Sequence, residues 1–191
     1  MPLTKTRFRE KCINKMKNTP KYNKIAMDLK LNVLLLKELK KYKGKNILLY
    51  IPMKHEVNIG KTIQYMRKFT NVFTPFMENE SFKIVPFRLP LERKKFGIYE
   101  AGNSLKKTNK IDIAVVPIVG VDGKLQRIGF GKGMYDRFFA KLKKRPYTIF
   151  IQPEICYTKE KICDEYDISS DMIIGKHNVK RNTNRWRNIH S

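Results

Sequence analysis

A single-domain, three-layer α/β/α fold on a mainly parallel open sheet is the class this sequence predicts, and three features predict it. Apolar runs of strand length recur at 46–52 (NILLYIP), 111–116 (IDIAVV) and 147–152 (YTIFIQ). They are unbroken rather than alternating, as in strands covered on both faces. Segments with helical spacing lie before and between them, and strands joined through helices pair in parallel. The chain has 191 residues, 41% hydrophobic and 11% aromatic, enough to close one core without staples.

The elements follow in order. Lys5–Lys17 reads as a basic helix that stops at Thr19-Pro20, because proline lacks an amide donor and restricts the residue before it. Over 22–41, Ile25, Leu29, Val33, Leu36 and Leu39 recur at helical spacing with lysines opposite, which predicts a helix with that stripe toward the core. Gly44 stands where a helix-terminating glycine belongs. After the strand at 46–52, Ile63, Met66 and Phe69 mark a helix over 60–69, and short strands follow at 71–76 and 82–87. The strand at 111–116 closes on Pro117, a glycine-rich loop leads into a helix over 132–143, and strands end the series at 147–152 and Met172–Ile174. Residues 1–175 thus form one domain. The segment 176–191 carries lysines and arginines without an acid and is predicted to be a flexible basic tail.

Charge is the strongest feature of the composition, with 41 Lys+Arg against 17 Asp+Glu and a formal net of +24. Such a field draws anions: nucleotides, nucleic acid, anionic lipid or a polyglutamylated substrate. A lysine-rich composition on solvated faces gives the same number. The first helix region carries Lys5, Arg7, Arg9, Lys11, Lys15 and Lys17 with no signal-peptide apolar run, and no stretch is long enough to span a bilayer. The expected setting is the cytoplasm, with no membrane partner. Cys12, Cys156 and Cys163 fit no zinc spacing, and their odd number argues against a disulfide framework; they read as small core hydrophobes or idle thiols of a reducing compartment.

The densest chemistry is at 121–139, VDGKLQRIGFGKGMYDRFF. Arg127 precedes Gly129, Gly131 and Gly133, which alternate with Phe130 and Lys132, and Met134, Tyr135, Asp136 and Arg137 follow at a helix start. Glycines let the backbone approach a ligand and take φ > 0. Successive amides ahead of a helix favour an anion. A lysine among them meets phosphate as a point charge, and a carboxylate just beyond can hold Mg²⁺, which takes carboxylate together with phosphate oxygens. Cradle, cation and metal ligand are the parts of a phosphoryl-transfer site. The spacing is neither a P-loop nor the dinucleotide fingerprint. From the residues alone, an ordinary flexible loop with a solvated lysine stands beside the phosphate-site reading.

The block RIGFGKGMYDRFF resembles the R-L-G-x-G-K-G-Y-Y-D-R-x-L motif of the 5-formyltetrahydrofolate cyclo-ligase family, the methenyltetrahydrofolate synthetases. Further pieces match in order: KTRFR resembles K-x-x-[LF]-R, YIPMKHEVN resembles Y-x-x-x-x-x-E-[VI]-[DN], RKKFGIYEAG resembles F-G-I-x-E-P, and YDISSDMII resembles H-D-x-x-[VL]-D-x-[VI]-[VI]. The resemblance spans nearly the whole chain. It implies ATP- and Mg²⁺-dependent closure of 5-formyltetrahydrofolate to 5,10-methenyltetrahydrofolate, through a phosphorylated formyl group, with release of ADP and phosphate. It places ATP on Lys5, Arg9, Arg127, Gly129, Phe130, Gly131, Lys132, Gly133, Met134 and Tyr135, with Lys132 and Arg127 as the catalytic cations. It places Mg²⁺ on Asp136 and Asp167, and the folate on Ile51, Glu56 and Tyr135. The sequence departs from the pattern at Met134 (the first aromatic of a Tyr-Tyr pair), Ile59 (Thr), Ala101 (Pro), Ile118 (Gly) and Gly175-Lys176 (Thr-Glu). Two other functions remain open at this level. One is a basic nucleic-acid-binding protein using Arg181, Arg185, Trp186 and Arg187, with Trp186 stacking on a base. The other is a non-catalytic ATP-binding relative. A monomer is expected.

Overall fold

The computed structural model describes residues 2–18, 20–78, 80–93, 99–104, 110–177 and 179–182. Its strands are β1 (Asn46–Leu48), β2 (Asn71–Glu78), β3 (Ser81–Pro86), β4 (Glu92–Arg93), β5 (Tyr99–Glu100), β6 (Ile113–Pro117), β7 (Gly120–Val121), β8 (Arg127–Ile128), β9 (Tyr147–Ile151), β10 (Met172–Ile174) and β11 (Val179–Arg181). Its helices are α1 (Lys5–Lys17), α2 (Lys21–Leu39), α3 (Gly60–Met66) and α4 (Met134–Ala140). Seven strands form the central sheet in the order β11-β10-β9-β6-β1-β2-β3. The pairings β10–β9, β9–β6, β6–β1 and β1–β2 are parallel, and only the two edges, β11 and β3, run antiparallel. The unbroken apolar runs explain this arrangement: every residue of β6 and β10 is buried, so both faces are covered. β4–β5 and β7–β8 are separate two-stranded ribbons.

One face of the sheet packs against α2 and α3 through Leu31, Leu35, Leu39, Ile63 and Met66 over Ile47, Val115 and Ile149. The other face packs against α4 and the aromatic ring of Phe82, with Leu48, Val116 and Phe150 beneath. Phe8 and Cys12 of α1 join Val119 and Ile128 in a third cluster, which fixes α1 beside β8 and the loop that follows it. Thr4 caps α1, its hydroxyl accepting from the Arg7 amide at 3.3 Å.

Three expectations are corrected. The stripe assigned to the core on α2 splits: Ile25, Leu29 and Val33 face outward, whereas Leu36 packs against the core and Leu39 lies in it beside Leu31 and Leu35, which the stripe did not include. Cys12 and Cys156, separated by 144 positions, form a disulfide, leaving Cys163 as the free cysteine among the described residues. Spacing along the chain carries no trace of that pairing, because it is made by the docking of α1 onto the segment after β9. The tail enters the sheet as β11, whose register sets Ile173 against Lys180. Residues 183–191, with Arg185, Trp186 and Arg187, lie outside the described residues, as do 94–98 of the RKKFGIYEAG stretch. No helix among the described residues is long and apolar enough to cross a membrane.

Candidate active site

The chain leaving β1 and the chain leaving β6 both run past the carboxyl edge of the sheet, where open parallel sheets bind ligands. The loop after β8 carries the alternating glycines, and each has a local reason. A Cβ at Gly129 would lie 2.3 Å from Arg127 Nη1, so the missing side chain is the space the guanidinium folds into. Gly131 and Gly133 adopt φ of 101° and 58°, the left-handed region that side chains disfavour. Arg9 of α1 donates from Nε to Gly129 O at 2.9 Å, tying the basic helix to the loop. Arg137 on α4 closes its far end, donating to Lys132 O at 2.6 Å and from Nε to Glu80 O at 2.9 Å.

Arg127 is almost fully buried, and its environment accounts for it. Nε donates to Pro117 O at 3.2 Å, Nη1 lies 3.7 Å from Asp136 Oδ2, and the guanidinium stands 4.8 Å from the Tyr135 ring centroid. Tyr135 in turn packs edge-on to Phe82 at 5.0 Å; burial, with a smaller contribution from Glu56, raises its hydroxyl above the ordinary tyrosine range. Across the cleft, Lys5 donates to Asp167, and to Asp164 Oδ2 at 3.0 Å. Burial opposes the charge on Lys5, but the bonds to Asp167 and Asp164 outweigh it and raise its pKa. Asp167 also accepts the Asp164 amide at 2.7 Å, and Asp136 accepts the Ile168 amide at 3.3 Å. The fold therefore brings Asp136 next to the residue that follows Asp167.

Two cavities meet here. The first, of about 500 Å³, is lined by Lys5, Arg9, Arg127, Gly129, Gly131, Lys132, Gly133, Asp136 and Asp167. The second, of about 730 Å³, is mainly apolar and is lined by Ile51, Glu56, Phe130, Met134 and Tyr135 among others. Arg127, Lys132 and Gly133 line both, so the glycine loop is the wall between a cationic cleft and an apolar one. Glu56 is one of two buried acids of the second cavity. Its Oε2 accepts the Met53 amide at 2.9 Å, and burial pushes its pKa up to about 7 against the smaller opposing effects of that bond and of Arg127.

Each residue that the family resemblance assigns to ATP, Mg²⁺ or folate lines one or both cavities. Sequence reasoning gave no role to three others that belong with them: Arg137 and Tyr166 on the cationic cleft, and Glu100 in the apolar one, accepting the Met77 amide at 3.2 Å. All three stand inside the quoted blocks, so their motif positions were the available signal. The donors also fit a divalent cation shared with phosphate. Asp136 and Asp167 supply two carboxylates on the cationic cleft, whereas no cluster of three or more metal-ligating side chains exists among the described residues.

Comparison with known proteins decides the family. The pattern of the 5-formyltetrahydrofolate cyclo-ligase family matches residues 5–175. The chain belongs to that family. A 5-formyltetrahydrofolate cyclo-ligase of Mycoplasma pneumoniae is 30% identical over 135 residues, which are 68% of this chain and 72% of the relative. One from Haemophilus influenzae is 30% identical over 103 residues, 49% of this chain and 55% of that relative. The NMR structure of Aquifex aeolicus 5,10-methenyltetrahydrofolate synthetase superposes with a TM-score of 0.78 at 26% identity, covering 94% of this chain and 93% of that one. The cyclo-ligase membership makes this chain an enzyme of the ligase class, on the single-domain α/β fold expected. Most departures from the cyclo-ligase pattern fall in packing positions, since Ile59, Ala101 and Ile118 are buried; Met134 alone of those lines the apolar cavity.

Proposed function

We propose that this cyclo-ligase converts 5-formyltetrahydrofolate to 5,10-methenyltetrahydrofolate at the expense of ATP, as a cytoplasmic monomer. One observation carries the reading: a cationic cleft and an apolar cavity share a wall made of Arg127, Lys132 and Gly133. A triphosphate fits the first cavity and a pterin with its benzoyl ring fits the second, so the transferred phosphoryl group and the formyl oxygen meet at that wall. The formyl group is an amide whose oxygen carries the negative end of its dipole. That oxygen attacks the γ-phosphorus, ADP leaves, and an imidate phosphate forms. The neighbouring amine nitrogen adds to the activated carbon and loses its proton, and departure of phosphate leaves the methenyl bridge.

The chain's residues supply position and charge rather than covalent chemistry. Lys132 and Arg127 neutralise the moving phosphoryl group, Lys5 and Arg9 hold the outer phosphates, and Arg137 keeps the loop that bears Lys132 in place. Asp136 and Asp167 would hold Mg²⁺, which supplies charge neutralisation to the phosphates when bound. Glu56 and Ile51 orient the folate, with Tyr135 closing the ring pocket. The basic surface favours folates with extended glutamate tails.

The test is turnover. Purified protein with ATP, Mg²⁺ and 5-formyltetrahydrofolate is expected to develop the near-ultraviolet absorbance of a methenyl-folate. Folded protein that gives no such absorbance at high enzyme concentration refutes the reading. Calorimetric nucleotide binding with no folate effect would then identify a non-catalytic relative.

A further inference from the structure

The outward face of α2 is the largest feature that the catalytic reading leaves unexplained. Tyr22, Ile25, Leu29 and Val33 are 74%, 57%, 44% and 68% exposed. Spaced three or four apart, they form one ridge about 16 Å long on the helix surface opposite the buried Leu31, Leu35 and Leu39. Isolated exposed apolar residues are normal; a continuous line of four on one helix is not. Lys30 and Lys37 are exposed beside the ridge, and Lys40 is exposed at its end. The two acids of the helix lie off this face, and both are neutralised. Asp28 pairs with Lys24 at 2.8 Å, and Glu38 pairs with Lys41 at 2.9 Å and Arg181 at 3.3 Å.

We propose that this ridge docks the protein on an anionic lipid surface, with α2 lying in the headgroup plane rather than crossing it. The ridge is convex and bordered by lysines, the form of a helix that buries its apolar face shallowly while its cations stay among headgroups. Charge complementarity selects the occupant. A second copy would bring another +24 against this face, whereas an anionic bilayer answers the same charge. The docking is independent of the folate reading and uses no residue of either cavity.

Co-sedimentation of the full chain with vesicles tests it, using phosphatidylcholine alone and phosphatidylcholine mixed with phosphatidylglycerol. The protein is expected to sediment with the anionic vesicles and stay in solution with the neutral ones. Leu29→Gln together with Val33→Gln, which leaves the net charge unchanged, should lower partitioning about tenfold or more while circular dichroism stays native, since both side chains already face water. Lys30→Ala and Lys37→Ala should each lower it about fivefold. Absence of binding to anionic vesicles overturns the proposal. So does equal partitioning of the native chain and the Leu29→Gln, Val33→Gln pair, which would reduce the effect to net charge. A concentration-dependent dimer in sedimentation velocity that the same pair abolishes would assign the ridge to a second copy and likewise overturn it.

Discussion

Glu56→Gln should make the ligand-free protein more stable, and only above the pH at which the carboxyl ionises in the unfolded chain. Glu56 is 5% exposed, and its pKa rises from an ordinary 4.5 to about 7 because burial disfavours the charged form. The folded state therefore holds a proton that the unfolded chain has already lost across that window, so stability falls as pH climbs from 4.5 toward 7. Above the window the penalty is constant. The difference of 2.5 between 7 and 4.5, at about 1.36 kcal/mol per unit, comes to about 3 kcal/mol at most. Glutamine keeps an oxygen to accept the Met53 amide and carries no charge to desolvate. Urea unfolding of both proteins between about pH 5 and about pH 8 reads the effect. The gap should be small at the acid end, grow through neutrality and level off. A gap that does not change with pH refutes the assignment of Glu56 as a buried acid titrating near neutrality, and a native chain more stable than the variant at alkaline pH refutes the sign.

Other outcomes are expected at the loop and the disulfide. Lys132→Ala should slow turnover by about 10² or more, the scale for losing one preorganised charge donor, read in the methenyl-folate assay; full activity would remove Lys132 from the mechanism. Arg137→Ala should lower kcat/KM for ATP about tenfold or more by releasing Lys132 O and Glu80 O, and Arg137→Lys should restore only part, because an ammonium cannot span both carbonyls as a planar fork does. Alkylation of the oxidised, denatured chain should label Cys163 alone, and reduction should lower stability by about 2–5 kcal/mol, given a closed loop spanning 144 positions. Labelling of all three thiols before reduction would remove the bridge.

What the sequence disclosed depended on whether an element's partner was local. The limits of α1 and β10 were legible because a proline break and a short apolar run mark them directly. The glycine loop was legible because its spacing is its mechanism: Gly129, Gly131 and Gly133 each answer a close approach or a positive φ within a few residues. α2 was not legible in its orientation. Its leucines satisfy helical spacing along two faces, and only packing on β1 and β6 selects Leu31, Leu35 and Leu39 over Ile25, Leu29 and Val33. The Cys12–Cys156 bridge was hidden for the same reason, since it is made by docking between distant segments. By contrast, β11 was hidden although it pairs with the neighbouring β10, because its Val179-Lys180-Arg181 run carries no apolar strand pattern. Arg137 was visible as a residue and not as a role, because its acceptors are carbonyl oxygens, which every residue carries.

The two carboxylates of the cationic cleft are each occupied by a basic side chain of the same cleft, Asp167 by Lys5 and Asp136 by Arg127. With no ligand present, each pair satisfies its own charges within the cleft, and the chain's net charge of +24 is carried elsewhere on the surface. A bare triphosphate entering would draw the cations away and strand two acids facing it. A triphosphate arriving with a divalent cation lets every group change partners with no charge left over. If the cleft takes a nucleotide as proposed, these ion pairs would favour the form already neutralised by a divalent cation, through contacts made before that nucleotide arrives.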